Sequence, residues 1–321
     1  MKLKNCLIFG ASGFIGRNLI KKLCNNNFKV TVITRNLHKS LHLKTQSAPG
    51  YIEIVESSIF DENKLRDLIK NSDVCINLIG ILYEKGQLNT FINIHEKFPN
   101  FLSALCNEHK VKQLISISAL GVEQALDSAY ATSKLNGENY IKKNFKSATI
   151  LKPSIVYGNS PDDFSNKFMQ LLNVLPIFPL YYSGRTLFAP IYVTDLVEII
   201  YQVIVQDIKS KTIECVGPEQ ISLKEILKKL LKLMGKKRLL FPMPLIFAKL
   251  LAKFFQLFPK PLLTTDQLTL LKYNNIPSGR YKTNYDLGII SKSNFENEIK
   301  KYSWMYSNEG EYSKDKYKEI I

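Results

Sequence analysis

The first half of the chain alternates short apolar runs with longer segments of helical period. The runs "NCLIF" (5 to 9), "KVTVIT" (29 to 34), "YIEIV" (51 to 55), "DVCINLI" (73 to 79), "KQLISIS" (112 to 118) and "ATILKP" (148 to 153) have the length and β-branched content of buried strands. Periodic segments near 14 to 25, 62 to 70, 90 to 109 and 129 to 144 separate them and read as helices. Six strands joined by helical crossovers specify an α/β fold built on a doubly wound parallel sheet. Beyond Gly158 the pattern loosens into proline-punctuated apolar stretches, "LLNVLPIFPLYY" and "FPMPLIFAKLLAKFFQLFPKPLL", around the helical "SLKEILKKLLKLMG". The expected division is a sheet domain over 1–158, with contributions from about 186–217. A smaller, mainly helical lobe takes 159–185 and 218–307, and a charged tail takes 308–321.

At 321 residues and 45% hydrophobic, the chain can bury a substantial core. Its 44 basic against 28 acidic residues give +16, a balance that suits nucleic acid, an anionic membrane surface or nucleotide ligands. The abundant, scattered lysine, asparagine and isoleucine equally fit AT-rich coding. No arginine-rich patch is interleaved with aromatics, so nucleic acid is not an expected partner. Cys6, Cys24, Cys75, Cys106 and Cys215 are dispersed and contain no CxxC, which points away from disulfides and zinc and towards a reducing compartment. Met1 to Phe14 imitates a signal peptide, but its apolar run is short and leads straight into a glycine-rich loop, so it reads as a first strand. No stretch reaches the ~20 apolar residues of a membrane span. A cytoplasmic location is therefore expected. His38 and His42 stand four apart without a carboxylate or cysteine nearby, and no metal is expected there. His95 and His109 bracket a helix without chain-local partners, and Asp195 reads as a helix cap.

In "LIFGASGFIGRNLI", Gly10, Gly13 and Gly16 follow the first strand and open the first helix. Gly10 lets the chain turn, Gly13 admits a pyrophosphate, and Gly16 lets helix and strand pack closely, while the helix amino terminus supplies NH groups and positive dipole. Ser12, Phe14 and Ile15 complete this loop. The strand on one side and the helix on the other make the triplet a dinucleotide fingerprint of the Rossmann type. The second strand runs out at Thr34, Arg35 and Asn36, without the acidic residue that would hold ribose hydroxyls of NAD. Arg35, helped by Arg17 or Lys39, suits a 2′-phosphate and tilts the expected cofactor to NADP(H) over NAD(H), unless Arg35 merely snorkels from a strand end.

In "SAYATSKLNGE", Tyr130 and Lys134 share one face of a helix, one turn apart. The pair alone is ordinary. In company with GxxGxxG at 10 to 16, "NLIG" at 77 to 80, Ser118, "LKPSIVYG" at 151 to 158 and "PIYVTDLVEII" at 190 to 200, it resembles the extended short-chain dehydrogenase/reductase superfamily, whose motifs come in this order. The resemblance implies catalytic roles for Ser118, Tyr130 and Lys134: the Tyr exchanges the proton, the Lys holds the nicotinamide ribose and lowers the Tyr pKa, and the Ser orients the carbonyl or hydroxyl. A cation one turn away does favour a phenolate. The resemblance also assigns Ser58, Ile59, Leu78, Ile79 and Gly80 to the cofactor cleft. Two departures stand out. Ser57 and Ser58 replace the Asp that often holds adenine, and Ser118 lies 12 residues before Tyr130, closer than in most sugar epimerases and dehydratases.

"CINLIGILYE", "ISISALGVEQALDSAYATSKLNGE", "ECVGP" and "PMPLIFAKLLAKFFQLFPKPLLTTDQLTLLKYNN" are similar to an atypical group that includes the nucleotide-binding accessory subunit of respiratory complex I and its alphaproteobacterial relatives. That resemblance implies a structural NADPH, partnership with complex I subunits, and a position at the inner face of a bacterial inner membrane. A second expectation is an NADPH-dependent reductase or epimerase acting on a lipid-like or quinone-like carbonyl or alcohol. Residues 245–258, read as a helix, put Lys249, Lys253 and Gln256 on one stripe and cover the rest with apolar side chains. Such a helix either lies in a membrane interface or is buried in its own lobe with its lysines outward.

Overall fold

The computed structural model describes residues 4–161, 163–256, 258, 261 and 263–307. They form two compact units. The first runs to Pro153 and adds Leu196–Cys215 and Gly279–Ile289; the second holds Ser154–Asp195, Val216–Ser278 and the described residues from Ile290 onward.

The first unit is a parallel sheet of eight strands. These are β1 (Lys4–Phe9), β2 (Phe28–Thr34), β3 (Ile52–Glu56), β4 (Val74–Asn77), β5 (Gln113–Ile117), β6 (Thr149–Pro153), β7 (Lys211–Cys215) and β8 (Lys282–Thr283). Their order is β8-β7-β6-β5-β4-β1-β2-β3, and every neighbouring pair is parallel. The chain order therefore reverses next to β1, and the carboxyl ends of β1 and β4 open onto one crevice, the usual ligand edge of such sheets. Two strands exceed the six expected. β8 has two residues, too few for any pattern to register, and β7 carries Lys211 and Glu214 within its five.

Helices α1 (Phe14–Cys24), α2 (Leu37–Ser40), α3 (Glu62–Lys70), α4 (Phe98–Glu108) and α5 (Ala129–Asn144) connect the strands. Leu19, Ile20, Leu23 and Cys24 give α1 a buried stripe. The helix expected over 90 to 109 is interrupted: Ile92–Lys97 forms a wider π turn before α4 begins. Such insertions in a helix often sit at functional sites. The core on this face packs Phe9 of β1 edge-on against Phe98 of α4, with ring centroids 5.2 Å apart, and adds Leu102, Leu105 and Ile150.

The second unit has its own core around Tyr157, Met169, Leu227, Leu230 and Phe295. The helix Leu223–Leu233 starts with a full capping box, Ser222 with Glu225. Asp195, expected as a cap, lies inside the first turn of the helix Val193–Val205 and accepts the amide of Ser293 at 2.9 Å instead. The helix Leu245–Phe255 is turned inside out for a globular protein. Its buried residues are the small Ala248 and Ala252, whereas Ile246, Phe247, Leu250 and Phe254 are 74, 63, 59 and 55% exposed.

Candidate functional site

The glycine loop takes the shape its residues require. Gly10 has φ of +80°, and a Cβ there would come within 3.2 Å of Leu78 and Ile79, so the loop rests on the chain leaving β4. At Gly16 a Cβ would meet the Ala11 backbone at 2.5 Å, a clash that no side-chain movement relieves. Gly13 stands at the N-cap of α1, where no side chain caps the first turn. The amides of Phe14, Ile15 and Gly16 are thus presented with the positive end of the helix dipole, a cradle fitted to an anion.

β4 ends at Asn77, two residues short of the run expected to 79. The amide of Leu78 still bonds to the Phe9 carbonyl, but Asn77 Oδ1 accepts the amide of Ile79 at 3.1 Å and bends the chain out of the sheet. Leu78, Ile79 and Gly80 thereby become a loop. Arg35, exposed just beyond β2, donates from Nη1 to Asn89 Oδ1 at 3.0 Å, while Asn36 caps α2. Ser57 and Ser58 spend their hydroxyls locally, on the Ser58 carbonyl and the Phe60 amide respectively. Ile59 is buried in the core beneath them. Ser12 is exposed on the glycine loop.

Tyr130 and Lys134 lie in the first turns of α5, which Ser128 caps by accepting the Ala131 amide. Lys134 is buried, its ammonium donating to the Ile117 carbonyl at 3.4 Å and standing 3.1 Å from where a Cβ of Gly80 would lie. Burial lowers its pKa from 10.5 to about 8, against the opposing pull of Glu138. Ser118, just past β5, donates its hydroxyl to Glu138 Oε1 at 2.5 Å. A small cleft is lined by Asn77, Ser116, Ser118, Lys134, Glu138 and His95.

Three participants carried no signal in the sequence. Glu138 and Lys152 form an ion pair at 3.0 Å, with side chains 2 and 0% exposed, and Lys152 also bonds to Glu123. This charged group lies directly under Ser118. The third is His95, which has partners after all. Its Nε2 accepts the Ile81 amide at 3.1 Å, its Nδ1 meets Ser133 Oγ at 3.0 Å, and its ring stands edge-on to Tyr130 with centroids 5.3 Å apart. A Cβ on Gly137 would fall 1.9 Å from the His95 carbonyl, so that glycine is what lets the π turn approach α5. His38 and His42 are exposed, and among the described residues no group of His, Cys, Asp or Glu is arranged to hold a metal.

Fold and glycine loop together define a nucleotide-binding α/β protein. Residues 6–215 match the NAD dependent epimerase/dehydratase family, and the chain belongs to that family. Over 286 residues it is 27% identical to a mouse protein, NADH dehydrogenase [ubiquinone] 1 alpha subcomplex subunit 9, mitochondrial, covering 88% of this chain and 75% of the relative. It is also 26% identical over 188 residues to the ceramide reductase of Caulobacter vibrioides, covering 59% of this chain and 57% of that one. Among solved structures it is similar in fold to a dTDP-glucose 4,6-dehydratase from Streptomyces venezuelae with NAD bound. The TM-score is 0.70 at 16% identity, and the match covers 95% of this chain and 98% of that one. No helix among the described residues is long and apolar enough to cross a membrane.

Proposed function

We propose that this protein holds NADP(H) as a structural element and docks, through its second unit, onto a respiratory complex I-like enzyme at the cytoplasmic face of a bacterial inner membrane. The observation that carries the docking is the helix Leu245–Phe255, which presents five large apolar side chains outward, Leu245, Ile246, Phe247, Leu250 and Phe254. A soluble monomer has no use for such a face, whereas an interfacial helix buries it and keeps Lys249 and Lys253 near anionic headgroups. Similarity to the mouse complex I subunit, spanning 88% of this chain, supports the partner. The test is native electrophoresis of mildly solubilised membranes, each band probed for this protein and for NADH oxidation. Comigration with active complex I is expected; recovery in the soluble fraction alone refutes the reading. Phe247→Glu with Leu250→Glu should release the protein from membranes without lowering its melting temperature, since neither residue is buried.

For the nucleotide, Gly10, Ser12, Gly13, Phe14, Ile15 and Gly16 would hold the pyrophosphate, Arg35 the 2′-phosphate, and Ser58 and Ile59 the adenine side. Leu78, Ile79, Gly80 and Lys134 would hold the nicotinamide ribose. When bound, the nicotinamide supplies or accepts a hydride. Lys134 has what a ribose diol needs, a desolvated ammonium beside a glycine with no side chain in the way.

A second reading, an NADPH-dependent reductase or epimerase acting on a hydrophobic carbonyl or alcohol, is favoured by the retained Tyr130 and Lys134 and by similarity to a ceramide reductase. Ser118 limits it. Its proton is directed at Glu138, so it would meet a substrate as an acceptor, which suits an alcohol better than a carbonyl. Tyr130→Phe distinguishes the readings. Under the enzyme reading turnover and cellular phenotype vanish while nucleotide affinity stays; under the structural reading the phenotype is unchanged.

A further inference from the structure

The hydrogen bonds around His95 form one directed chain. The amide of Ile81 points at Nε2, so that nitrogen must be the bare one. The neutral ring then carries its proton on Nδ1 and donates it to Ser133 Oγ. Ser133 passes its own proton to the Tyr130 carbonyl at 2.8 Å. The chain closes only with a neutral imidazole. Burial and the nearby Lys134 hold the ring in that state, its pKa down at about 2. Phe91 stacks on the ring at 5.4 Å, and both rings stand edge-on to Tyr130, leaving His95 no room to rotate.

We propose that His95 is a positioning residue for the candidate nucleotide site: its two ring nitrogens join the loop 78–81 to the turn of α5 that bears Tyr130 and Lys134, fixing Gly80 against the Lys134 ammonium. One arm orders the loop and the other orders the helix turn. The consequence for the nucleotide rests on the reading above, whereas the strut itself does not.

The two arms can be cut separately in the full-length protein, because a Gln amide reaches about as far as Nε2 and an Asn amide about as far as Nδ1. His95→Gln keeps an acceptor for Ile81 and loses Ser133; His95→Asn keeps a donor for Ser133 and strands the Ile81 amide. Amide hydrogen exchange is measured first, without nucleotide, and NADPH and NADH affinities are then measured by calorimetry. Loss of one buried hydrogen bond corresponds to about tenfold. The Ile81 amide should therefore exchange about tenfold faster in the Asn variant, with NADPH binding weaker by about the same factor, and both should stay near wild type in the Gln variant. Equal exchange at Ile81 in the two variants overturns the strut, as does lost protection in the Gln variant, which decides the matter alone if the Asn variant does not fold. Split exchange with unchanged affinity in the Asn variant overturns the positioning role. Split exchange in a protein that binds neither nucleotide upholds the strut and refutes the nucleotide reading.

Discussion

Lys134 is a place where the fold gives up stability to hold a buried cation. Its ammonium is buried, and burial lowers its pKa from 10.5 to about 8. At neutral pH the folded state therefore carries a charge that it holds less favourably than the unfolded chain does. One pKa unit corresponds to ~1.4 kcal/mol, so the penalty is at most about 3.5 kcal/mol. Lys134→Met keeps the stem and removes the charge. The bond given up, to the Ile117 carbonyl at 3.4 Å, is a long one. The variant should be more stable than wild type at pH 7 by 1 to 3 kcal/mol, a rise of several degrees in melting temperature at roughly 2–4 °C per kcal/mol. The sign of the pH dependence follows from linkage. The folded pKa is depressed, so between about 8 and 10.5 the unfolded chain binds the extra proton, and wild-type stability gains on the variant as pH rises through that window. The gap should therefore shrink from pH 7 to pH 10. All other titrating groups are common to both proteins and largely cancel in the difference. A Met variant that is less stable at pH 7, or a gap that does not close with pH, would refute the assignment of Lys134 as a buried, strained cation. Calorimetry on the same samples should show that the stabilised variant binds NADPH more weakly, the expected exchange of function for stability.

Other substitutions probe the frame around it. Gly16→Ala places a methyl 2.5 Å from the Ala11 backbone, so it should cost about 2 kcal/mol or more and weaken nucleotide binding; a melting curve like wild type would contradict the close packing. Lys152→Met leaves the half-buried Glu123 without its cation and the buried Glu138 with only the longer pair to Lys142 at 3.7 Å, and should cost about 3–5 kcal/mol by urea denaturation. A loss below about 1 kcal/mol would mean that water and the existing Lys142 pair suffice to hold the two carboxylates. Arg35→Asp should weaken NADPH far more than NADH in parallel titrations, and equal losses would exclude the 2′-phosphate as its partner.

What the sequence disclosed depended on how far each residue's reason for being there lies along the chain. The six strands β1 to β6 were legible because each lies on a short, mostly apolar run and most are separated by segments of helical period, and the glycine triplet was legible because its demands are local. Gly16 answers to Ala11, five residues away, and Gly13 to Gly10. The π turn was hidden, since one extra residue per turn barely alters the spacing of Ile94, His95 and Phe98. The groups beneath the site were hidden for a different reason. Helix α5 buries Lys134, Glu138, Ser133 and Gly137 alongside Ala131 and Ile141, so its inward face is largely polar and a search for apolar period passes over it. The partners that make those residues tolerable inside come from elsewhere: Ser133 meets His95 38 residues away, Ser118 meets Glu138 across 20, and Lys152 meets Glu138 across 14. A buried polar residue is stable only once its partner is in place. His95, Glu138 and Lys152 therefore look like surface residues until the sheet brings β4, β5, β6 and α5 together.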